Sequence, residues 1–426
     1  MNESVGSKES WLSRGHWVLG LLCVFTFLAT VTTGQNVFDN AWLIFWYEAV
    51  FVAGFLVFQR VQGESAGPLF PVKSIGFWLL ATWFGSITVS LLLSPYGLMT
   101  EWFAVQRYFQ SIFHLLFFLS VYRFVSIYEG SLKPLFISLA ASVAVLAVLF
   151  IASWYALDEM LPSDSREWFR RPPCNAHIRI TGFLVAAGTV ALTPFFIEGK
   201  KGKTASGLFY MIGLAVWGLM FWTGGRGSIL SVLLVSIMIL AVLIVKKQPV
   251  KHYLIAVCIF MVGGILLAEL FKVFYWNGIF QAAERTVAAG GNPYKLTTGR
   301  VKLCGYVIES LNNENGWLFG LGSQGYCYMP NRTFGFQPHN LIFQFLAEWG
   351  VAGTALFLAM IGYGFITGAK KRLLPGSGKL SVPTLAALGI ILSLGLHSLV
   401  DGIFYHAQSS MHLAIAFAVW MSAKRT

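Results

Sequence analysis

Arg226, Arg300 and His339 are the residues of this chain whose types and settings could do chemistry. Arg226 lies in Thr223-Gly224-Gly225-Arg226-Gly227-Ser228. Glycines flanking a cation at the start of an apolar helix let backbone amides, the positive helix end and a guanidinium fork converge on one anion. That is phosphate chemistry, although the same pattern also suits a tight helical hairpin with an arginine at the lipid headgroups. Arg300 ends Leu296-Thr297-Thr298-Gly299-Arg300, again a cation behind hydroxyls and a glycine. Alone it reads as an exposed loop arginine, and it gains meaning only if it meets Arg226. His339 sits between Pro338 and Asn340 at the start of an apolar run. A neutral imidazole there is either a general base or an interfacial histidine capping a helix.

Other polar residues fall inside or at the ends of apolar runs. Glu48 and Arg107 lie at matched depth, about 10 Å in at ~1.5 Å per residue. They read as a structural pair or as the wall of a polar cavity, since intramembrane charge is a functional hypothesis by default. His114 is seven residues beyond Arg107 and shares its face. His397 and Asp401 are one helical turn apart and expected to reach the surface, either to position substrate or to satisfy each other. Arg107, Asn340, His397, Asp401 and Glu48 are therefore candidate substrate-binding residues beside the three catalytic candidates. The sequence holds no D-x-D, no H-E-x-x-H and no carboxylate cluster with ligand spacing, so neither a metal nor a cofactor is expected. A pyrophosphate would be neutralised here by guanidinium groups. There is no G-x-S-x-G elbow or Walker loop, and the five cysteines show no C-x-x-C spacing.

The elements that must position these residues are membrane helices. Of the 426 residues, 56% are apolar, 16% aromatic and 11% charged, with mean hydropathy +0.68, which rules out a soluble globule. The net charge of +12 would suggest nucleic acid in a soluble protein; here it is a topology signal. Apolar runs long enough to span fall near 17–33, 41–58, 75–93, 102–124, 135–155, 178–197, 205–222, 227–245, 253–271, 341–366, 382–399 and 409–421. The fold expected is an all-α polytopic membrane protein of about 12 transmembrane helices, forming a single membrane domain over 1–426. The second, fourth and last runs carry the weakest signal, through Glu48, through Arg107 with His114, and through shortness. The first run, behind Lys8 and Arg14, lacks a small-x-small cleavage site and reads as a retained helix.

An even count puts both termini on one side, and the Lys/Arg clusters, among them Lys246, Lys247, Lys251, Lys370, Lys371, Arg372 and Lys379, make that side cytoplasmic. The opposite face receives two long loops, 156–177 and 272–338. The second has 67 residues and contains Trp276, Tyr294, Tyr306, Trp317, Phe319, Tyr326 and Tyr328, too many aromatics for disorder, so a small helical cap is expected. No internal repeat or domain linker is evident.

His339-Asn340, nine residues, Gly350, two residues, then Gly353-Thr354 resembles the signature of the O-antigen ligase and polymerase superfamily. The likeness extends to glycine-flanked Arg226, to Thr298-Gly299-Arg300 and to Leu318-Phe319-Gly320-Leu321-Gly322, together covering roughly 211–366. Among its members the chain is most similar to the O-antigen ligases of Gram-negative inner membranes, with twelve helices and one large periplasmic loop between the ninth and tenth. That resemblance implies transfer of O-antigen polysaccharide from undecaprenyl pyrophosphate to a sugar hydroxyl of lipid A core, in the periplasm and without metal. On the matched positions it implies that Arg226 and Arg300 bind pyrophosphate and His339 activates the acceptor, with inversion at the anomeric carbon.

Rival readings within the same chemistry are an O-antigen polymerase and a protein oligosaccharyltransferase. From another class, twelve helices with Glu48, Arg107 and His114 inside could form an anion transporter, but the paired repeats usual in transporters are not evident. Cys174, Cys304 and Cys327 fall on the outer side, where Cys304 and Cys327 could pair; spacing does not choose.

Overall fold

A helix occupies each of the twelve apolar runs in the computed structural model, which describes residues 15–32, 37–61, 74–96, 102–157, 178–198, 203–272, 278–297, 299–329, 337–374 and 378–422. Residues 158–177 with Cys174, and also Lys8, Arg14, Trp276 and Thr298, lie outside the described residues. The helices are α1 His16–Val31, α2 Val37–Val61, α3 Ile75–Leu92, α4 Trp102–Ile127, α5 Lys133–Leu157, α6 Ile178–Leu192, α7 Lys203–Thr223, α8 Arg226–Val245 and α9 Lys251–Leu270. Three short helices follow, α10 Gly278–Ala288, α11 Pro293–Leu296 and α12 Arg300–Asn313. The chain ends with α13 Leu341–Arg372, α14 Val382–Ser398 and α15 Ala407–Ser422, and no strand occurs among the described residues.

Length and composition qualify seven of these as candidate membrane spans, in α2, α3, α4, α5, α8, α9 and α13. Shorter apolar helices lie in α1, α6, α7 and α14. The weakest run, 409–421, has a specific reason for its low hydropathy. Gln408, Ser409, Ser410 and His412 are all buried in α15, which packs against α4, α14, α2 and α13. A helix enclosed by protein on every side need not be apolar enough for lipid. α14 is similarly enclosed, between α6, α8 and α15.

The region between α9 and α13, expected to be a helical cap, is built from α10, α11, α12 and a 3₁₀ turn at Gly325–Tyr328. It is joined to α13 by a break in that helix. At Gly350 φ is 63° and ψ −167°, a conformation essentially restricted to glycine. The break takes four backbone groups out of the helical ladder, and each finds another partner. Val351 and Ala352 donate to the carbonyls of Trp317 and Leu318, at 2.8 and 3.0 Å. The carbonyl of Ala347 accepts from Leu321 N at 2.8 Å, and that of Glu348 from Ser90 Oγ at 2.6 Å. Gly320 and Gly350 touch: a Cβ on Gly350 would lie 2.4 Å from Gly320 N, and one on Gly320 2.5 Å from Gly350 N. Gly320 thus serves the joint between the short-helix region and α13, while Gly322 makes room for Ser94, where a Cβ would lie 2.7 Å away.

Candidate functional site

Asp401, in the turn between α14 and α15, is the hub. Its Oδ1 accepts from His339 Nδ1 at 2.7 Å and its Oδ2 from Arg300 Nη2 at 3.3 Å. Gly402 N also donates to Oδ1, at 3.0 Å. The carboxylate is buried, while the side chains of His339 and Arg300 are 16% and 24% exposed. One buried carboxylate therefore holds a base candidate and a cation candidate at the margin of solvent, through charge-assisted hydrogen bonds.

Each partner is placed by local backbone chemistry. Arg300 is the first residue of α12, behind Gly299 at φ 83°. His339 has φ 54°, an uncommon left-handed conformation for a side chain of its size. It is held between Pro338 and Asn340, whose Oδ1 caps α13 by accepting from Ile342 N and Phe343 N at 2.9 and 3.2 Å. Asn340 Nδ2 donates to the carbonyl of Leu399 at 2.7 Å, tying the start of α13 to the Asp401 turn. Asn340 thus uses both ends of its amide to hold the fold beside His339.

Arg226 begins α8 and reaches into the short helices. Nη1 donates to Thr286 Oγ1 at 3.2 Å and Nη2 to the carbonyl of Leu296 at 2.9 Å, four residues before Arg300. Its glycines have steric work: a Cβ on Gly224 would lie 2.3 Å from the carbonyl oxygen of Gly278, and one on Gly227 2.8 Å from the His397 ring. α8 consequently abuts the end of α14 that leads into the Asp401 turn.

His397 and Asp401 are both buried, which corrects the expectation that they reach the surface. They do not satisfy each other through side-chain bonding either. The His397 ring packs against Phe183 in a tilted arrangement, centroids 4.3 Å apart, while the Asp401 oxygens serve His339 and Arg300. The Glu48–Arg107 pair is likewise corrected. Glu48 Oε1 accepts from His114 Nδ1 at 2.6 Å, and Arg107 donates to the carbonyl of Phe404. Glu48 lies outside the Asp401 cluster, in an α2–α4 contact. Arg107, Ser111 and His114 line one side of a cavity of about 150 Å³ whose other walls, including Trp83, Phe357 and Phe404, are mostly apolar.

Cys304 is a half-buried free thiol and so is not bonded to Cys327, which donates to Gln324 Oε1 at 3.2 Å. Burial pushes the Cys304 thiol pKa up. Among the described residues, no group of three or more His, Cys, Asp or Glu could hold a metal ion.

Residues 210–358 match the family described as O-antigen ligase. The match spans about a third of the chain and supports reading it as an O-antigen ligase/polymerase superfamily member. That family consists of O-antigen ligase- or polymerase-type enzymes, so the match supports a glycosyltransferase-type activity for this helical membrane protein. No curated protein matches the chain. The matched segment runs from α7 into α13 and contains Arg226, Arg300 and His339; Asp401, His397, Arg107 and Glu48 lie outside it. The hub role of Asp401 escaped the sequence reading, which gave this residue only His397 as a side-chain partner. Its one local signal is an acidic residue just past the end of an apolar run.

Proposed function

We propose that this protein is an inner-membrane O-antigen ligase, moving glycan from undecaprenyl pyrophosphate to a sugar hydroxyl of lipid A core at the periplasmic face. The observation that carries the reading is the shared carboxylate of Asp401, which ties the imidazole of His339 to the guanidinium of Arg300.

An ionised carboxylate only accepts hydrogen bonds, so His339 Nδ1 carries the ring proton toward Asp401 and Nε2 carries the lone pair. Nε2 takes the proton of the acceptor hydroxyl as its oxygen attacks the anomeric carbon of the donor sugar. The bond between that carbon and the pyrophosphate oxygen breaks on the opposite face, and the pyrophosphate leaves with the electron pair. One displacement inverts the anomeric configuration, and His339 later releases its proton to water. Asp401 stabilises the imidazolium that forms, as a carboxylate behind a histidine base does in other enzymes. Arg226 and Arg300 stabilise the charge growing on the pyrophosphate. Each Nη nitrogen has two hydrogens, so the bonds to Thr286, Leu296 and Asp401 leave further donors on both forks for an anion.

The test is transfer by purified protein from undecaprenyl-pyrophosphate-linked glycan to lipid A core. His339→Ala is expected to abolish turnover; near-normal turnover would end the general-base assignment. Arg226→Lys replaces a fork with a point charge and is expected to raise the donor KM and lower the rate, by about 10²-fold together. An unimpaired Arg226→Lys enzyme would refute the clamp. A strain lacking the protein should accumulate carrier-linked polymer and bare core, whereas core capped by a single repeat would indicate a polymerase instead.

A further inference from the structure

We propose that Arg107 is a positioning residue, holding the Asp401 turn, and through it His339, by its bond to the carbonyl of Phe404. The inference rests on the His339–Asp401 reading above and assigns Arg107 a role other than binding substrate.

Three observations converge. The guanidinium of Arg107, buried on α4, donates to Phe404 O, three residues beyond Asp401. The Phe404 ring is set among aromatic groups, with centroids 5.1 Å from Phe345 and 5.4 Å from Phe357, so side chain and carbonyl are both fixed. The start of the same turn is held by Asn340 through Leu399 O, and its middle is pressed against two amides: a Cβ on Gly402 would lie 2.0 Å from Gln337 Oε1 and 2.8 Å from Gln344 Oε1. Gln337 and Asn340 flank His339. Asp401 and its imidazole partner are thus built on two segments pinned to each other, and Arg107 supplies the pin at the far end.

Buried and bonded to a backbone carbonyl, the guanidinium of Arg107 is placed to hold the turn rather than to receive a pyrophosphate. The use of a cation for a carbonyl contact has a reason: a charged donor makes a stronger bond than a neutral one in surroundings poor in water.

The test is a double-mutant cycle on the full-length protein, with undecaprenyl-pyrophosphate-linked oligosaccharide as donor and lipid A core as acceptor. It measures kcat and donor KM for Arg107→Met, Asp401→Asn and the double variant. Misplacing a reacting group by about 1 Å can cost about 10²-fold, so Arg107→Met should lower kcat on that order with donor KM within about 3-fold of the parent. In the Asp401→Asn background, the same change should cost no more than about 3-fold further, because residues acting as one unit are not additive. Arg107→Lys keeps a charged donor and should recover most of the lost kcat. Should Arg107→Met not be recovered folded, Arg107→Lys carries the cycle, its smaller effect again disappearing behind Asp401→Asn. A rise in donor KM with unchanged kcat, or effects that multiply fully in the double variant, would overturn the positioning role. Wild-type turnover by Asp401→Asn would instead overturn the His339–Asp401 reading on which it rests.

Discussion

Replacing Asp401 by asparagine keeps the shape of the hub and removes its charge, and the structure sets the size of the effect. The His339 bond to Oδ1 is 2.7 Å long and the carboxylate is buried. When His339 takes the acceptor proton it becomes an imidazolium, its charge centre about 4 Å from that of the carboxylate. Such a pair is worth about 1 kcal/mol in water and about 4 kcal/mol at the effective dielectric of a partly buried site. With the ring 16% exposed and Asp401 buried, about 3 kcal/mol is the reasonable share, or about 10²-fold in kcat at 1.36 kcal/mol per decade. Where the amide also turns the ring to the wrong tautomer, the loss approaches about 10⁴-fold, as with the comparable substitution in a serine protease. Asparagine no longer offsets the charge of Arg300, whose Nη2 lies 3.3 Å from Oδ2, so donor KM should stay level or fall. The assay is steady-state transfer of labelled glycan at saturating acceptor, resolving kcat from donor KM. A kcat within about 3-fold of wild type would refute the argument, because the stated electrostatics leave no room for so small a loss.

Two further outcomes follow from the fold. Gly350→Ala places a methyl 2.4 Å from Gly320 N at a φ of 63°, so the joint between α13 and the Leu318–Gly322 segment should open. A loss of thermal stability in detergent is expected, from backbone strain of about 1–3 kcal/mol with the clash in addition; an unchanged Tm would contradict the described break. Cys304 should react with a maleimide without prior reduction, since it is a free thiol, and slowly near pH 8, since burial raises its pKa and only the thiolate attacks. Its rate should keep climbing above pH 9, and a rate already level at pH 8 would contradict the assignment.

Much of the helical layout was legible because hydropathy is local. A window of about 20 residues carries its own signal for burial in lipid, and helices formed at all twelve apolar runs. The run at 409–421 shows where that logic weakens, since α15 is surrounded by protein and can carry Ser409, Ser410 and His412 inside. The glycines were legible as features but their purpose was not. Gly227 was read as part of an anion cradle, and its missing Cβ also makes room for His397, 170 positions away. Intramembrane charges were found by type alone, and matched depth did not choose Glu48's partner; His114, on the same face of α4 as Arg107, is the one within reach.

By itself the sequence pointed to a helical membrane protein, with Arg226, Arg300 and His339 as its chemical candidates and a resemblance to the O-antigen ligase/polymerase superfamily. Composition, apolar run length and short motifs are all properties of contiguous residues. Only the tertiary structure decided that Asp401 joins His339, 62 positions away, to Arg300, 101 positions away, and that Arg107 serves the Phe404 carbonyl. A hydrogen bond depends on two groups within about 3 Å of each other, and no periodicity along the chain records which distant residue folding will bring there.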